Sequence, residues 1–391
     1  MKVLIVGGGF GGVKAALELS SDSRFDVTLI SDKKNFEYHA ALYRSATGRS
    51  PLEVVIPLDE IFASRPNIEV VQDKVVELDI KAKQVTSADG CEYHYDALIL
   101  AMGVVTEYYG IHGLPEFSYG IKSINEALEL KRHLHDELTE HELDSHFVII
   151  GGGPTGVELS GDLVHYLKKI EKAHKVTKKF QVNLVEAAPR LLPVLPEDLS
   201  NRVEQHLAKL GVKVQTGAVV QGEKVDSLML PEGDIKTHTV VWTAGVTNNP
   251  FFKAHEKLFR LSKGNRVEVD DRLQAAPDVY VIGDSAFTKR SGMAQTALYD
   301  AKFVANNLKR QLKGQQPTHY RPRQPIGAIP VGPKWAAVAD GNKRYYGRRG
   351  WRKRRWLDLK LYLSFLPRKK AIEAWRQGNQ IEESCPVCAG S

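Results

Sequence analysis

The sequence predicts an α/β protein: two Rossmann-like dinucleotide-binding domains followed by a C-terminal amphipathic, membrane-associating region. Three observations carry this expectation. Two glycine-rich loops, GGGFGG at 7–12 and GGGPTG at 151–156, stand 144 residues apart, each directly after a short apolar run and each leading into a helical pattern. Strand-like and helix-like segments alternate beyond both loops, as doubly wound parallel sheets require. Near the C-terminus, Trp and Leu recur at helical spacing inside a strongly basic stretch. One G-x-G-x-x-G match is weak evidence, but two in strand–turn–helix context argue for two nucleotides held at once.

Taken in order, the first unit opens with a strand at 3–6, the loop, a helix over about 11–20 and a strand at 27–30. A later strand at 96–101 ends in Met102-Gly103, and a linker covers about 104–120. The second unit repeats the plan with a strand at 147–150, its loop and a long helix expected to run on through the charged stretch 168–179. Strands at 182–185, 212–215 and 239–242 follow, and a further strand at 279–282 ends in Gly283-Asp284. The expected division is 1–115 with 275–325 as one discontinuous domain, 116–274 as the second, and 326–391 as the C-terminal region.

Composition sets bounds. With 42% hydrophobic and 26% charged residues over 391 positions, the chain is an ordinary globular protein of two to three domains. A strand begins within three residues of the N-terminus, so no signal peptide is expected, and no run reaches the ~18 apolar residues of a spanning helix. Three cysteines argue for a reducing compartment. The net charge of +7 is uneven: residues 343–370 hold twelve Lys/Arg and one acid, a segment of +11 that leaves −4 for the rest. Such a patch points to an anionic surface.

Each loop has the residues a pyrophosphate needs. Gly7, Gly9, Gly11 and Gly12, like Gly151, Gly153 and Gly156, remove side-chain bulk, so that amides and a helix N-terminus can approach the phosphates; Pro154 and Thr155 open the second helix. The residue ending the second strand of such a unit meets a ribose. In the second unit this is Glu186, whose carboxylate accepts both hydroxyls and repels a 2′-phosphate, so NADH is expected over NADPH. In the first unit Ser31 stands there with Asp32 next, and either can reach a ribose.

With Val279–Asp284 the chain resembles the two-dinucleotide flavoprotein disulfide reductases. The resemblance implies FAD on the first loop, Gly283 and Asp284 near its ribityl or phosphate region, and NADH on the second. It also makes 98–103, with Ala101 and Gly103, the strand leading back to the flavin. More narrowly, the chain resembles type II NADH:quinone oxidoreductases across nearly its whole length. The matching segments are YGIHG at 109–113, IKSINEA at 121–127, GGGPTGVEL at 151–159, VEAAPR at 185–190, WTAGV at 242–246 with Ala244 and Gly245, Ala294-Gln295, and Gly350-Trp351 through Trp375. The implied activity is FAD-dependent, non-proton-pumping oxidation of NADH in a respiratory chain, with two electrons passing through flavin to a membrane quinone to give quinol.

Disulfide reductases keep a cysteine pair beside the flavin, yet 35–44 contains none, and Cys91 lies in an expected turn. Electrons should therefore leave the flavin directly for a diffusible acceptor. Cys385 and Cys388 form CPVC, half a zinc site or a redox pair; a dangling tail or a metal knuckle shared with another chain is expected, with no metal site inside the chain. Trp356, Leu359, Leu363 and Leu366 give one apolar stripe on a helix from Trp351 to Leu366, flanked by Arg352–Arg355 and 368–370, with Ile372 and Trp375 on a second short helix. This suits an interfacial helix on anionic lipid; a packed helix with a solvated basic face and an RNA-binding surface are the other readings, and no nucleic acid is expected.

By the resemblance, Glu158 serves nicotinamide placement and proton traffic to quinone, and Ala294 and Gln295 line the flavin and quinone pocket. Tyr299 stands where the family has a second Gln, and His39-Ala40 where it has Gln-Pro. Tyr299 and His39 can each supply a proton to a reduced quinone, and Lys334 is a weaker candidate near the quinone channel. A homodimer, peripheral on the cytoplasmic face of the cell membrane, is expected. The rivals are an NADH:disulfide or NADH:oxygen oxidoreductase using the C-terminal pair, and an FAD/NADH-binding redox sensor whose tail binds membrane or nucleic acid.

Overall fold

The computed structural model describes residues 1–140 and 145–389; residues 141–144 and 390–391, inside the expected NADH and C-terminal regions, lie outside the described residues. The helices used below are α1 (Phe10–Leu19), α2 (Ile124–Glu140), α3 (Pro154–His174), α4 (Ala294–Leu312), α5 (Gly347–Tyr362) and α6 (Arg368–Gln377). Two compact units form, the first from Met1–Tyr38, Val55–Val105 and Thr247–Pro325, the second from His39–Val54, Thr106–Val246 and Ile326–Ser391.

In the first unit the strand Lys2–Val6 sits at the centre of a six-stranded sheet, between Asp26–Ser31 and Ala97–Leu100. These pairings are parallel, and Val279–Val281 extends the sheet in parallel beyond Ala97–Leu100. Leu4, Val6, Ile30, Leu98, Leu100 and Val281 fill one buried core, which is why these runs read as continuous apolar stretches. The second unit repeats the arrangement with four parallel strands. Ser145–Ile150 pairs with Phe180–Glu186 and Thr239–Trp242, and Val212–Thr216 lies at the edge. Val148, Ile150, Val185, Val240 and Trp242 are buried together there. An antiparallel meander (Gly327–Pro330, Ala336–Asp340, Lys343–Tyr345) belongs to this unit and carries α5.

At the level of the fold the sequence reading needs four corrections. The chain returns to the first unit at Thr247, not at 275, because Phe251, Phe252 and Phe259 are buried in the first unit's core. Residues 326–391 are not a separate region but part of the second unit, as are 39–54 and, against the expected boundary at 115, residues 106–115. Helix α3 stops at His174 instead of running to 179: Lys175 takes a left-handed cap (φ 53°), and the chain turns back to begin Phe180–Glu186. Helix α5 likewise ends at Tyr362, and Phe365 and Leu366 turn inward and are buried. No helix among the described residues is long and apolar enough to cross a membrane.

Candidate functional site

Both loops are built alike, and steric reasons fix most of their glycines. A side chain at Gly7 (φ +114°) would lie 2.4 Å from the Ala101 carbonyl oxygen, and one at Gly12 would lie 1.9 Å from that of Gly7. In the second loop Gly151 (φ +110°) meets the Ala244 backbone at 2.8 Å, and Gly156 meets the Gly151 carbonyl oxygen at 1.9 Å. These four close the turn against its own helix and against the neighbouring strand. The middle glycines behave differently. Around a Cβ placed on Gly9 or on Gly153 there is nothing within 4 Å. Each is the N-cap of its helix, α1 or α3, and no side chain caps either one. An open approach to a helix N-terminus with uncapped amides is what a pyrophosphate requires, so both loops fit a dinucleotide.

Glu186 closes its strand beside the second loop. One carboxylate oxygen accepts the Gly152 amide and the other accepts the Ala188 amide at 2.6 Å. In the first unit the Ser31 hydroxyl is buried and engaged with Lys33, donating to its carbonyl at 2.9 Å, whereas Asp32 next to it is exposed. Asp284 lies in the turn Gly283–Ser285 and accepts the Gly292 amide at 3.0 Å. The Ser285 hydroxyl donates to the Gly103 carbonyl at 3.0 Å, tying the end of Ala97–Leu100 to that turn. Gly245 packs so closely that a side chain there would lie 2.1 Å from the Glu107 carbonyl oxygen.

Ala294 opens α4, Gln295 beside it is exposed, and Tyr299 lies half-buried one turn on, with the Arg323 guanidinium 4.4 Å above its ring. Sequence reasoning missed their neighbour Asp300. Fully buried, it accepts the Gly283 amide at 3.1 Å and the Tyr320 hydroxyl at 2.5 Å. Burial pushes its carboxyl up to about 6. A lone acid among Ala297, Ala301 and Val304 was the available signal.

Glu158 lies in the second unit, on α3 one turn beyond the loop, and is 4% exposed. Its nearest cation is Arg354, at 3.5 Å. Arg354 also holds Asp358 at 3.0 Å, and Asp358 holds Arg44 at 3.1 Å. Arg44 in turn pairs with Glu53 at 2.6 Å, and Glu53 accepts Arg355 at 3.1 Å. Three guanidiniums thus face three carboxyl groups in a buried network. Burial raises the Glu158 carboxyl to about 8 against the pull of Arg354 and Arg44, with Asp358 and Asp162 adding to the rise. At neutral pH Glu158 is therefore mostly protonated, unlike an acid merely favoured by a helix dipole. Asp162, one turn further along α3, lines a polar cleft with Tyr43, Arg44, Arg49, Arg354 and Arg355. His39, also in this unit, opens the short turn His39–Ala41 and is exposed.

The network corrects the reading of the basic helix. The sequence places Arg354 and Arg355 in a lipid-facing cluster, yet both are buried in ion pairs, and Trp375 stacks on the Arg355 guanidinium, which lies 4.6 Å from its ring centre. The inward stripe of α5 is Arg354, Asp358 and Tyr362, while Trp356 (50% exposed) and Leu363 (46%) face outward. Leu366, expected on the outward stripe, is buried. The C-terminal cysteines do not dangle: Cys388 is buried, and both sulfurs approach His174.

The family model for pyridine nucleotide-disulphide oxidoreductases matches residues 1–301. The chain is 32% identical to a type II NADH:quinone oxidoreductase of Mycobacterium tuberculosis, over 86% of this chain and 79% of that one. Among solved structures it is similar to the NDH2 of Plasmodium falciparum in complex with NADH (TM-score 0.87, 17% identity, 96% and 97% of the two chains). It is also similar to the sulfide:quinone oxidoreductase of Aquifex aeolicus (TM-score 0.80, 20% identity, 97% and 92%).

Proposed function

The chain belongs to the pyridine nucleotide-disulphide oxidoreductases and, among them, to the type II NADH:quinone oxidoreductases, and from that premise we propose how its residues divide the work. It uses FAD and NADH, oxidising NADH and reducing quinone. The observation that carries the residue assignment is the paired open glycine, Gly9 and Gly153, each at an uncapped helix N-terminus.

The first loop holds the pyrophosphate of FAD, with Asp32 or Ser31 at the ribose and Asp284 and Gly103 nearer the flavin. The second loop, with Pro154, Thr155, Ala244 and Gly245 around it, holds NADH, and Glu186 takes its ribose hydroxyls. FAD, when bound, supplies the two-electron step between nicotinamide and quinone. Glu158 keeps a proton at neutral pH and serves the proton demand of quinol formation. Gln295 with Ala294, Tyr299 and His39 are assigned to the acceptor side.

Transfer to quinone is direct in this scheme and moves no protons across a bilayer. The rival route through Cys385 and Cys388 meets a distance problem inside the second unit. Those sulfurs sit against His174, at the far end of α3 from its loop, and a 21-residue helix is about 30 Å long. The exposed Trp356 and Leu363, beside Lys and Arg, support docking on the anionic cytoplasmic face of the membrane.

The test is purified protein with bound flavin. NADH should bleach its absorbance far more readily than NADPH, and a soluble quinone analogue should restore it in ping-pong kinetics. Flavin reduced by NADH but never reoxidised by any quinone would refute the direct route.

A further inference from the structure

We propose that His135, His174, Cys385 and Cys388 form a structural zinc site that fastens the C-terminal tail to α2 and α3. All four belong to the second unit, and their ligand atoms lie within 4.8 Å of one another. His174 Nε2 stands 3.2 Å from His135 Nε2, 3.3 Å from Cys385 Sγ and 3.4 Å from Cys388 Sγ. One ring nitrogen thus faces three groups, and a single N–H there satisfies only one of them. A cation at the centre turns every one of these contacts into the edge of a coordination shell.

The His174 distances fit that shell. With Zn–N about 2.05 Å and Zn–S about 2.3 Å, a tetrahedral ion has N···N edges of about 3.3 Å and N···S edges of about 3.6 Å. The three distances from His174 Nε2 fall within a few tenths of an ångström of these edges, and all four ligand atoms lie within 4.8 Å of one another. Two thiolates and two imidazoles suit zinc among common metals, and the thiolates balance its charge. His135 has the support that metal-binding histidines need: its Nδ1 faces the Asp136 carboxylate at 3.1 Å, which fixes the tautomer that turns Nε2 to the cluster.

The site has something to hold. Just before the cysteines, the Glu382 amide donates to the Gly48 carbonyl at 3.0 Å, and the Ser50 hydroxyl donates to the Glu382 carboxylate at 2.6 Å. A side chain on Gly48 would lie 2.1 Å from the Glu383 carboxylate. Zinc therefore clamps the tail over 48–50, the segment that leads to Glu53 and the buried ion network.

The experiment takes the full chain with its flavin, purified without a polyhistidine tag, and measures metal by mass spectrometry. About one zinc per chain is expected, falling to background in Cys385→Ser/Cys388→Ser and in His135→Ala. Because a variant can simply misfold, Co²⁺ is also exchanged into the wild-type protein, where thiolate-to-cobalt absorption and tetrahedral ligand-field bands should appear. A wild-type chain that holds no zinc as purified and, after reduction, takes up neither Zn²⁺ nor Co²⁺ overturns the proposal, as does a Cys385–Cys388 disulfide in the freshly isolated protein. Flavin reduction by NADH should survive in the double serine variant.

Discussion

At the scale of single residues, two of the four glycines of the second loop make opposite demands. Gly156 has a carbonyl oxygen 1.9 Å from where a Cβ would stand, while Gly153 has open space and a φ of −72° that alanine adopts without strain. Gly156→Ala should therefore destabilise the fold by about 1–3 kcal/mol. Gly153→Ala should leave the melting temperature nearly unchanged and raise KM for NADH by about 10–100-fold, since the added methyl fills the phosphate approach; an unchanged KM would remove the loop from the NADH site. Glu158 makes a pH argument. Its carboxyl is raised from 4.5 to about 8, chiefly by burial. Its contribution to stability is complete below the unfolded value and is lost as pH rises through about 8, because the native state holds a proton that the unfolded chain has released. Glu158→Gln should flatten the fall in stability between about pH 4.5 and 8, read from urea midpoints across that window. If the proton serves quinol formation, kcat with quinone should drop by about 100-fold in this variant while stopped-flow reduction of flavin by NADH stays unchanged.

Among the elements, α5 reverses the usual order, burying charge and exposing Trp356, with Leu363 exposed just past its end. Asp358, 1% exposed, is the hub, within 4 Å of Arg44, Arg354 and Arg355. Asp358→Asn removes one partner of a buried network and should cost about 3–5 kcal/mol, whereas Trp356→Ser should cost well under that, as denaturant titration can separate. The same helix shows where sequence reading stops. The loops were legible because their glycines answer to local sterics: a tight turn and a strand immediately beside it. Arg354 and Asp358, four apart, look in sequence like any solvated helix pair, and what buries them is Arg44 and Glu53, about three hundred positions away. The CPVC half of the zinc cluster was visible for its spacing, but His135 and His174 lie on different helices and gave no pattern. The domain return was misplaced for a related reason, since the phenylalanines at 251, 252 and 259 declare their core only once it exists.

For the molecule as a whole, the proposed membrane docking can be argued from charge. Of the twelve cations in 343–370, Arg354 and Arg355 are buried, while Arg344 and Lys353 pair with Asp198 and Asp340. Lys343, Arg348, Arg349, Arg352, Lys360, Arg368, Lys369 and Lys370 remain exposed. Near an anionic leaflet each such cation contributes about 1 kcal/mol, so even partial engagement of eight outweighs two exposed apolar side chains. The attraction acts over the Debye length, about 10 Å at 0.1 M salt and about 3 Å at 1 M. Raising salt across that range should release the protein from vesicles containing anionic lipid and slow reduction of quinone embedded in them, with turnover on a water-soluble quinone analogue unaffected. Trp356→Ser/Leu363→Ser should weaken the binding that persists at high salt, where only apolar insertion is left. Equal binding to zwitterionic and anionic vesicles would contradict the electrostatic account, because neutral headgroups offer those eight cations no countercharge.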